Sequence, residues 1–463
     1  MANLKERICI IGGGPAGVTA AMYLQQKGYE NYVIYEKDDH VGGKCFSPTM
    51  AVEPDGTGEK RAFEMGAIMG AKTYYAVHEA EIFGGTTHDG PRMMRAYKNA
   101  KGEDIFPFEP SKNIWNGKIF GLLHMKNCVK KLAKLMDTKY KGYELCGHRG
   151  VASGKYEGLD PVSQDMPHTE GVNPNLKDLC LPFDKFCKLN HIEPVMKVWI
   201  APFTSFGYGY FDELPAAYVL KYLDVTTTLE FVAMRLWTWK EGTMSIWQGV
   251  DKHLLHQTTL NSEVTKIVRK DNKVYVTVNG KEEVFDKLIV TTPLDHFAEY
   301  ADGTEEEKAL FSKIIHERYC SMSTRQAKGN CPTISSYIFD NMTPETRGHL
   351  MVYYHRWEDL KDQPITTYSL LNHENMEDVS YDFMKKTVLE DMTKCGHPVT
   401  KVEIDREWYY MPHVNCKDYS EGWYDKVESL QGKNNTYFAG EVMSFGDMEE
   451  TTEYSKDLIG RFF

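Results

Sequence analysis

Hydrophobic and polar positions along the chain change period several times, and each change predicts an element. Arg7–Ile11 ends in the apolar run Ile-Cys-Ile-Ile, the pattern of a strand buried on both faces. Val18 to Gln26 follows with helical spacing and small residues toward the sheet; Gly28 closes it, and Tyr32-Val33-Ile34-Tyr35 is a second strand. Residues 262–293 read as three alternating strands beginning at Val264, Lys273 and Glu283, joined by Asp-Asn and Asn-Gly turns, the last returning to a parallel sheet at Pro293. Asn435–Glu441 reads as a further strand and Met448–Phe463 as a helix. Residues 111–145 and 181–237 are helix-rich by spacing, and the Gly, Pro, Ser, Asn and His residues of 146–175 read as an exposed loop between them. Thr333–Phe339 and His349–His355 are strand-like runs suited to a sheet that roofs a pocket.

The first strand runs directly into Gly12-Gly13-Gly14-Pro15-Ala16-Gly17, so Gly12, Gly14 and Gly17 satisfy G-x-G-x-x-G between a strand and a helix. In that setting the glycines allow a tight turn, close approach of a pyrophosphate and close helix–strand packing, while the helix N-terminus offers unpaired N–H groups to phosphate. Glu36 closes the second strand nineteen residues after Gly17, where a carboxylate is expected to hold an adenosine ribose, with Lys37 beside it. Gly42-Gly43-Lys44 then completes E-x5-G-G-K, an extension found in flavoproteins of the glutathione-reductase-like class, whose second turn would carry a cation toward the pyrophosphate. The small residues of Glu64-Met-Gly66-Ala67-Ile68-Met69-Gly70 would let a flat ring lie against backbone, and the C-terminal helix would point its N-terminus at the pyrimidine end of a flavin. The expected cofactor is non-covalent FAD. Its candidate contacts are Gly12, Gly14, Pro15, Ala16, Gly17, Glu36, Lys37, Gly43, Lys44, Gly66, Ala67, Ile68, Met69, Val264, Pro293, Gly440, Glu441 and Met448.

Composition narrows the function. With 54 Lys+Arg against 66 Asp+Glu the net charge is −12, which argues against a nucleic-acid partner. Ile8–Gln26 is uncharged, but its glycines and Pro15 break any spanning helix, so no transmembrane segment is expected. The ten cysteines form no C-x-x-C and read as reduced, mostly buried thiols of a cytoplasmic protein. No metal site is indicated, and His349, His355 and His413 read as structural histidines. A second dinucleotide fingerprint and a redox-active cysteine pair are both missing. A flavin here would then be reduced by its own substrate, which leaves oxidases, desaturases and isomerases open. The aromatic stretch 199–223, with 28 Tyr, 21 Phe and 22 Met in the chain, points to an elongated apolar cavity.

Several long blocks resemble the bacterial FAD-dependent polyunsaturated fatty acid double-bond isomerases, the linoleate isomerase type of the flavin amine oxidase superfamily. These blocks are Gly-Gly-Lys44-Cys45, Glu64–Gly70, Trp199-Ile-x-Pro-Phe-Thr-x-Phe-Gly-Tyr-Gly, Pro215–Asp224, Leu236-Trp-Thr-Trp, Met351–Trp357 and Gly440-Glu-x-Met-Ser-Phe-Gly446. The similarity runs from about residue 7 to the C-terminus. The loop 146–175 and an insertion near Val52–Lys60 depart from the family pattern, and either could alter the pocket mouth. The resemblance implies an α/β architecture: a discontinuous glutathione-reductase-like FAD-binding domain (1–80, 238–300, 405–463), a β-sheet substrate domain (81–110, 301–404) and a helical domain (111–237). It also implies that Arg95 meets the carboxylate of a free polyunsaturated fatty acid at the channel entrance, beside Phe231.

In such chemistry the methylene between two cis double bonds loses hydride to flavin N5 and regains it at another carbon, giving a conjugated diene without net oxidation. No protein side chain need act as a catalytic acid or base; the chain must position the methylene and exclude water and oxygen. The alternatives are a flavin amine oxidase using oxygen and a flavin-containing fatty-acid-binding protein. Transient contact with a membrane surface is a further expectation, and the oligomeric state is left open.

Overall fold

A computed structural model describes residues 3–53, 55–107, 117–143, 146–159, 168–327, 335–360, 362–373 and 380–463. Cys331, residues 111–116 and 160–167 and Pro54 of the expected insertion lie outside the described residues.

The apolar run Ile8–Ile11 is buried at every position and forms the centre of a four-stranded parallel sheet. Ile8 pairs with Lys287 of the strand Lys287–Val290 on one side and with Tyr32 of Tyr32–Tyr35 on the other; Thr436–Phe438 closes the outer edge beside Lys287–Val290. The sheet is therefore assembled from the beginning, the middle and the end of the chain. Helix Pro15–Gln26 packs beside the C-terminal helix Met448–Phe462 and the helix Met244–His253.

The third run of the 262–293 region is two strands, not one. Lys281–Phe285 closes the antiparallel meander with Lys273–Val278 and Val264–Lys270, and Lys287–Val290 belongs to the parallel sheet. The break falls at Asp286, whose carboxylate accepts the Arg7 backbone N–H at 2.7 Å and so ties the change of sheet to the first strand.

A six-stranded sheet forms the second layer. Its order is Val399–His413, Ile315–Gln326, Ile365–His373, Leu350–Tyr354, Ser335–Ile338 and Arg95–Lys98, with only the last pair parallel. A smaller core beneath it joins Met322, Ile338 and Leu371 to Met384, Val388 and Met392 of helix Tyr381–Lys394. Two expected domain boundaries fall inside elements: helix Tyr75–Gly84 runs across 80/81, and strand Val399–His413 runs across 404/405.

The segment 146–175 is not one exposed loop. Cys146, His148 and Val151 are buried, and Lys155–Leu159 pairs with His168–Val172 as a hairpin. The reason is tertiary: His148 bonds through its ring nitrogens to Tyr419 and to the Ser444 carbonyl, so its loop packs behind the C-terminal helix. The Val52–Lys60 segment tips a hairpin of Thr49–Ala51 and Lys60–Ala62 that Arg325 holds through the carbonyls of Ala51 and Val52. His349 pairs with Asp391 at 2.9 Å, a carboxylate brought near by helix packing rather than by sequence spacing.

Candidate functional site

The glycine loop and the Gly-Gly-Lys turn lie against one another. Gly42 N–H donates to the Gly13 carbonyl at 2.9 Å, and a Cβ built on Gly43 would stand 3.2 Å from the Gly14 Cα. A Cβ on Gly17 would fall 1.9 Å from the Gly12 carbonyl oxygen, so only glycine lets the helix approach the strand this closely. The helix begins with Pro15, has no side-chain cap and no acid in its first turn; its leading N–H groups are left for an external anion. Ala16 and Gly17 are buried in that first turn. Glu36 sits at the end of the second strand, and its carboxylate accepts the Gly13 N–H at 2.6 Å and the Asp38 N–H at 2.9 Å.

A central cavity opens from this loop toward the C-terminal helix. Pro15, Lys44, Gly66, Ala67, Ile68, Met69, Glu441 and Met448 all line it. Lys44 is ion-paired with Glu441 at 2.6 Å on its wall. Lys37 is exposed and does not reach the cavity. Val264 and Pro293 do not line it either. Val264 begins the meander just after Ser262, whose N–H donates to the Glu36 carbonyl at 2.7 Å. Pro293 follows Thr291, whose hydroxyl donates to the Ile11 carbonyl at 2.7 Å, at the carboxyl end of the sheet. Gly440 follows the outer strand at that same end.

The Glu64–Met69 backbone is held in place by residues that sequence reasoning missed. Ser321 and Trp408 of the six-stranded sheet donate to the Met65 carbonyl at 2.7 and 3.0 Å, and Tyr368 donates to that of Glu64 at 3.1 Å. Thr243 donates to the Ala67 carbonyl at 3.0 Å. Glu64 itself is buried and ion-paired with buried Arg356 at 2.8 Å. Burial raises the Glu64 carboxyl above the usual range and Arg356 pulls it back. A Cβ on Gly66 would lie 1.8 Å from the Lys44 carbonyl oxygen, so the two cofactor turns touch through glycine.

Aromatic side chains form the facing wall: Tyr74, Phe206, Tyr208, Tyr222, Tyr319 and Tyr410. The Tyr208 and Tyr410 rings lie 5.3 Å apart, Tyr410 and Tyr319 5.1 Å, and Tyr222 stacks on Phe445 at 5.3 Å. Burial holds the phenols of Tyr208, Tyr222 and Tyr319 well above the usual tyrosine range, so this wall is neutral. Tyr410 had one legible signal, the period of two that puts it on the inner face with Trp408 while Tyr409 is exposed. Asp447 lines the cavity and caps the C-terminal helix by accepting the Glu450 N–H at 2.7 Å. Burial, with Glu450 nearby, pushes its carboxyl well up.

A second, smaller cavity is lined by Met69, Met93, Arg95, Phe231, Met234, Leu236 and Tyr337. Met69 is common to both, so the two spaces meet across one flexible side chain. Arg95 and Phe231 are brought together: the guanidinium lies 4.1 Å from the Phe231 ring centroid, and Arg95 Nη2 donates to the Val232 carbonyl at 2.9 Å. Arg95 Nη1 is buried and has no hydrogen-bond partner. Asp104 is taken by Lys98 and Glu103 by Asn99, so neither nearby acid neutralises Arg95. None of the described residues of the Val52–Lys60 segment lines either cavity.

The residues fit a flavin dinucleotide. An uncapped helix N-terminus faces a cation-bearing turn, backbone glycines lie along one wall, and a second helix N-terminus stands at the far end. Among the described residues no three His, Cys, Asp or Glu side chains converge to hold a metal ion. No described helix is long and apolar enough to cross a membrane.

Family comparison agrees with this geometry. The model of the NAD(P)-binding Rossmann-like domain matches residues 10–95, and that of the flavin containing amine oxidoreductases matches residues 186–318. A CLA-producing fatty acid isomerase from P. acnes superposes with a TM-score of 0.88 at 42% identity, covering 100% of both chains. A polyenoic fatty acid isomerase from Ptilota filicina is 21% identical over 68% of this chain and 64% of its own. A putrescine oxidase variant shares the fold alone, with a TM-score of 0.69 at 13% identity over 98% of this chain and 97% of its own. With 42% identity over the whole of both chains, this protein belongs to the family of the CLA-producing fatty acid isomerase, built on the flavin amine oxidase fold.

Proposed function

We propose that this chain binds FAD in the central cavity and isomerises a free polyunsaturated fatty acid, linoleate-like, to a conjugated diene. The observation that carries the reading is Arg95: a guanidinium with one buried, unpartnered nitrogen, in an otherwise apolar space that meets the cofactor cavity at Met69. A long apolar tail with a single terminal carboxylate is the ligand that matches one cation followed by methionines and aromatics. Arg suits the task because its planar fork binds a carboxylate through two hydrogen bonds and stays charged.

When bound, FAD supplies a centre that accepts two electrons from the substrate and gives them back. The chain's own residues do the rest. Arg95 holds the carboxylate and so sets which methylene stands at the cofactor, since proximity gains depend on registration within about an ångström. Phe231, 4.1 Å from the guanidinium centre, fixes the fork's plane. Met69, Met93, Met234 and Leu236 adapt to a bent, unsaturated tail and leave no place for water. The Tyr208, Tyr319 and Tyr410 faces surround the reacting carbons with neutral, electron-rich surface, which favours developing positive charge over bulk apolar packing. No side chain is required as a proton donor or acceptor. The nine described cysteines are free, which supports a reducing, cytoplasmic setting.

The deciding experiment is the ultraviolet spectrum of linoleate incubated with the yellow holoprotein. Growth of a conjugated-diene band without hydrogen peroxide supports the reading. Peroxide from a primary amine, with no diene from linoleate, would move the protein to the amine oxidase class.

A further inference from the structure

We propose that the face around the Arg95 cavity docks on an anionic lipid bilayer, with helix Gly117–Asp137 as its electrostatic footing. This rests on the fatty-acid reading above and names the surface from which the substrate is drawn. The helix carries Lys118, Lys126, Lys130, Lys131 and Lys134, and its only acid is the terminal Asp137. Lys126, Lys130 and Lys134 recur every fourth residue and form one row; Leu123, Asn127 and Lys131 form the next. All four lysines of these rows are exposed, and none has an ion-pair or hydrogen-bond partner among the described residues. Like charges at that spacing repel within the helix, so the row costs the fold something, and no described acid forms an ion pair with it. In a chain of net charge −12 this is a local reversal of sign.

The helix cannot turn its lysines away. Cys128 and Leu132 are buried, and Met125, Val129, Leu135 and Met136 pack on the core. It also packs on helix Val225–Val232, which carries Phe231 and supplies the Val232 carbonyl to Arg95, so the lysine-bearing helix borders an element that lines the Arg95 cavity. The rim is apolar and exposed: Met94 is 38% exposed, Leu229 and Val232 each 48%, and Leu123 49%. Leu229 and Val232, three apart, share one side of their helix, and exposed Arg92 lies next to the same rim.

Exposed aliphatic side chains on one helix and unpaired cations on the helix packed against it fit a headgroup layer, where the apolar groups enter and the lysines meet phosphate. The occupant follows from the substrate: a free long-chain acid is concentrated in bilayers rather than in water. With a net charge of −12 the chain as a whole is repelled by anionic lipid, and the lysine rows supply a local attraction that opposes this. Each lysine near such a surface is worth about fivefold in partition, and the attraction fades beyond about 10 Å at 0.1 M salt, so docking is reversible.

The test uses the FAD-loaded protein and its K126Q/K130Q/K131Q/K134Q variant, none of these residues being part of either cavity. Wild type should sediment with phosphatidylglycerol-containing vesicles, release in high salt, and ignore vesicles of phosphatidylcholine alone. The variant should bind the anionic vesicles at least tenfold more weakly, by about fivefold for each lysine that contributes. It should turn over vesicle-borne linoleate correspondingly slower and cyclodextrin-solubilised linoleate at the wild-type rate. Leu229→Ser should weaken vesicle binding with the salt dependence unchanged. Equal sedimentation of variant and wild type, indifference of wild type to anionic vesicles, or equal slowing on both forms of linoleate would overturn the proposal. Failure to convert solubilised linoleate at all would instead defeat the fatty-acid reading, and sedimentation would still decide the docking.

Discussion

Arg356 Nη1 donates to Glu64 Oε1 at 2.8 Å, joining two fully buried charges from segments almost three hundred residues apart. Glu64 also accepts from Ser47 and from the Thr243 backbone N–H, and Arg356 Nη2 donates to the Trp239 carbonyl. This knot clamps the Gly66–Met69 wall of the cofactor cavity to the six-stranded sheet. Arg356→Met should therefore destabilise the protein by about 3–5 kcal/mol, because it strands a buried carboxylate. Arg356→Met combined with Glu64→Gln should recover much of that loss. Urea unfolding of both variants checks this; equal stability of the single variant and wild type would show that the pair is not holding the wall.

Arg95→Ala should lower kcat/KM on free linoleate by about ten- to 150-fold, the scale of a charged hydrogen bond of about 1.5–3 kcal/mol. The methyl ester, which brings no carboxylate, should change little, and Arg95→Lys should restore activity only in part. Equal losses on acid and ester would remove the carboxylate clamp from the mechanism.

Glu36→Ala should weaken FAD binding by about 1.5–3 kcal/mol, read by titrating the apoprotein with FAD and following flavin fluorescence. The carboxylate already accepts two backbone N–H groups, so it is oriented before any ribose arrives. Unchanged affinity would show that the ribose is held elsewhere.

Turnover of linoleate should continue without oxygen and without NAD(P)H, and should release no stoichiometric peroxide. An oxygen electrode and a peroxide assay under turnover decide it. A strict oxygen requirement would place the chain among oxidases.

Glu317 is buried beside Arg347 and Glu213, and burial pushes its carboxyl up to about 8 despite the arginine. Between its ordinary value of 4.5 and about 8 the folded protein holds a proton that the unfolded chain has released. This contribution to stability is whole below pH 4.5 and is lost as the pH rises toward 8. Glu317→Gln should flatten that slope and stabilise the protein at pH 8 by an amount on the order of a few kcal/mol. Urea midpoints of both proteins at pH 5 and pH 8 test the sign.

The proposed cofactor half of the site is written in the sequence because its chemistry is local. Gly12, Gly14, Gly17, Glu36 and the Gly43-Lys44 turn lie within one strand–helix–strand unit, where steric limits on the backbone demand glycine at fixed offsets. Strand period likewise announced the meander, although not that Asp286 splits its last run between two sheets, because burial on both faces looks alike in either sheet.

The proposed substrate half was decided by tertiary structure. Nothing local to Arg95 reveals that Phe231 will stand 4.1 Å away, or that Val232 will take one of its donors and leave another unpartnered. Tyr74, Tyr222, Tyr319 and Tyr410 come from four separate segments, and in sequence each is indistinguishable from a core aromatic. The loop 146–175 misled for the same reason: its polar, glycine-rich composition predicts exposure, yet His148 is buried once the Tyr419 hydroxyl and the Ser444 carbonyl, both supplied by the far end of the chain, satisfy its ring. Backbone constraints act between neighbours and are written in sequence, whereas burial and hydrogen-bond satisfaction depend on partners that only the folded chain brings within reach.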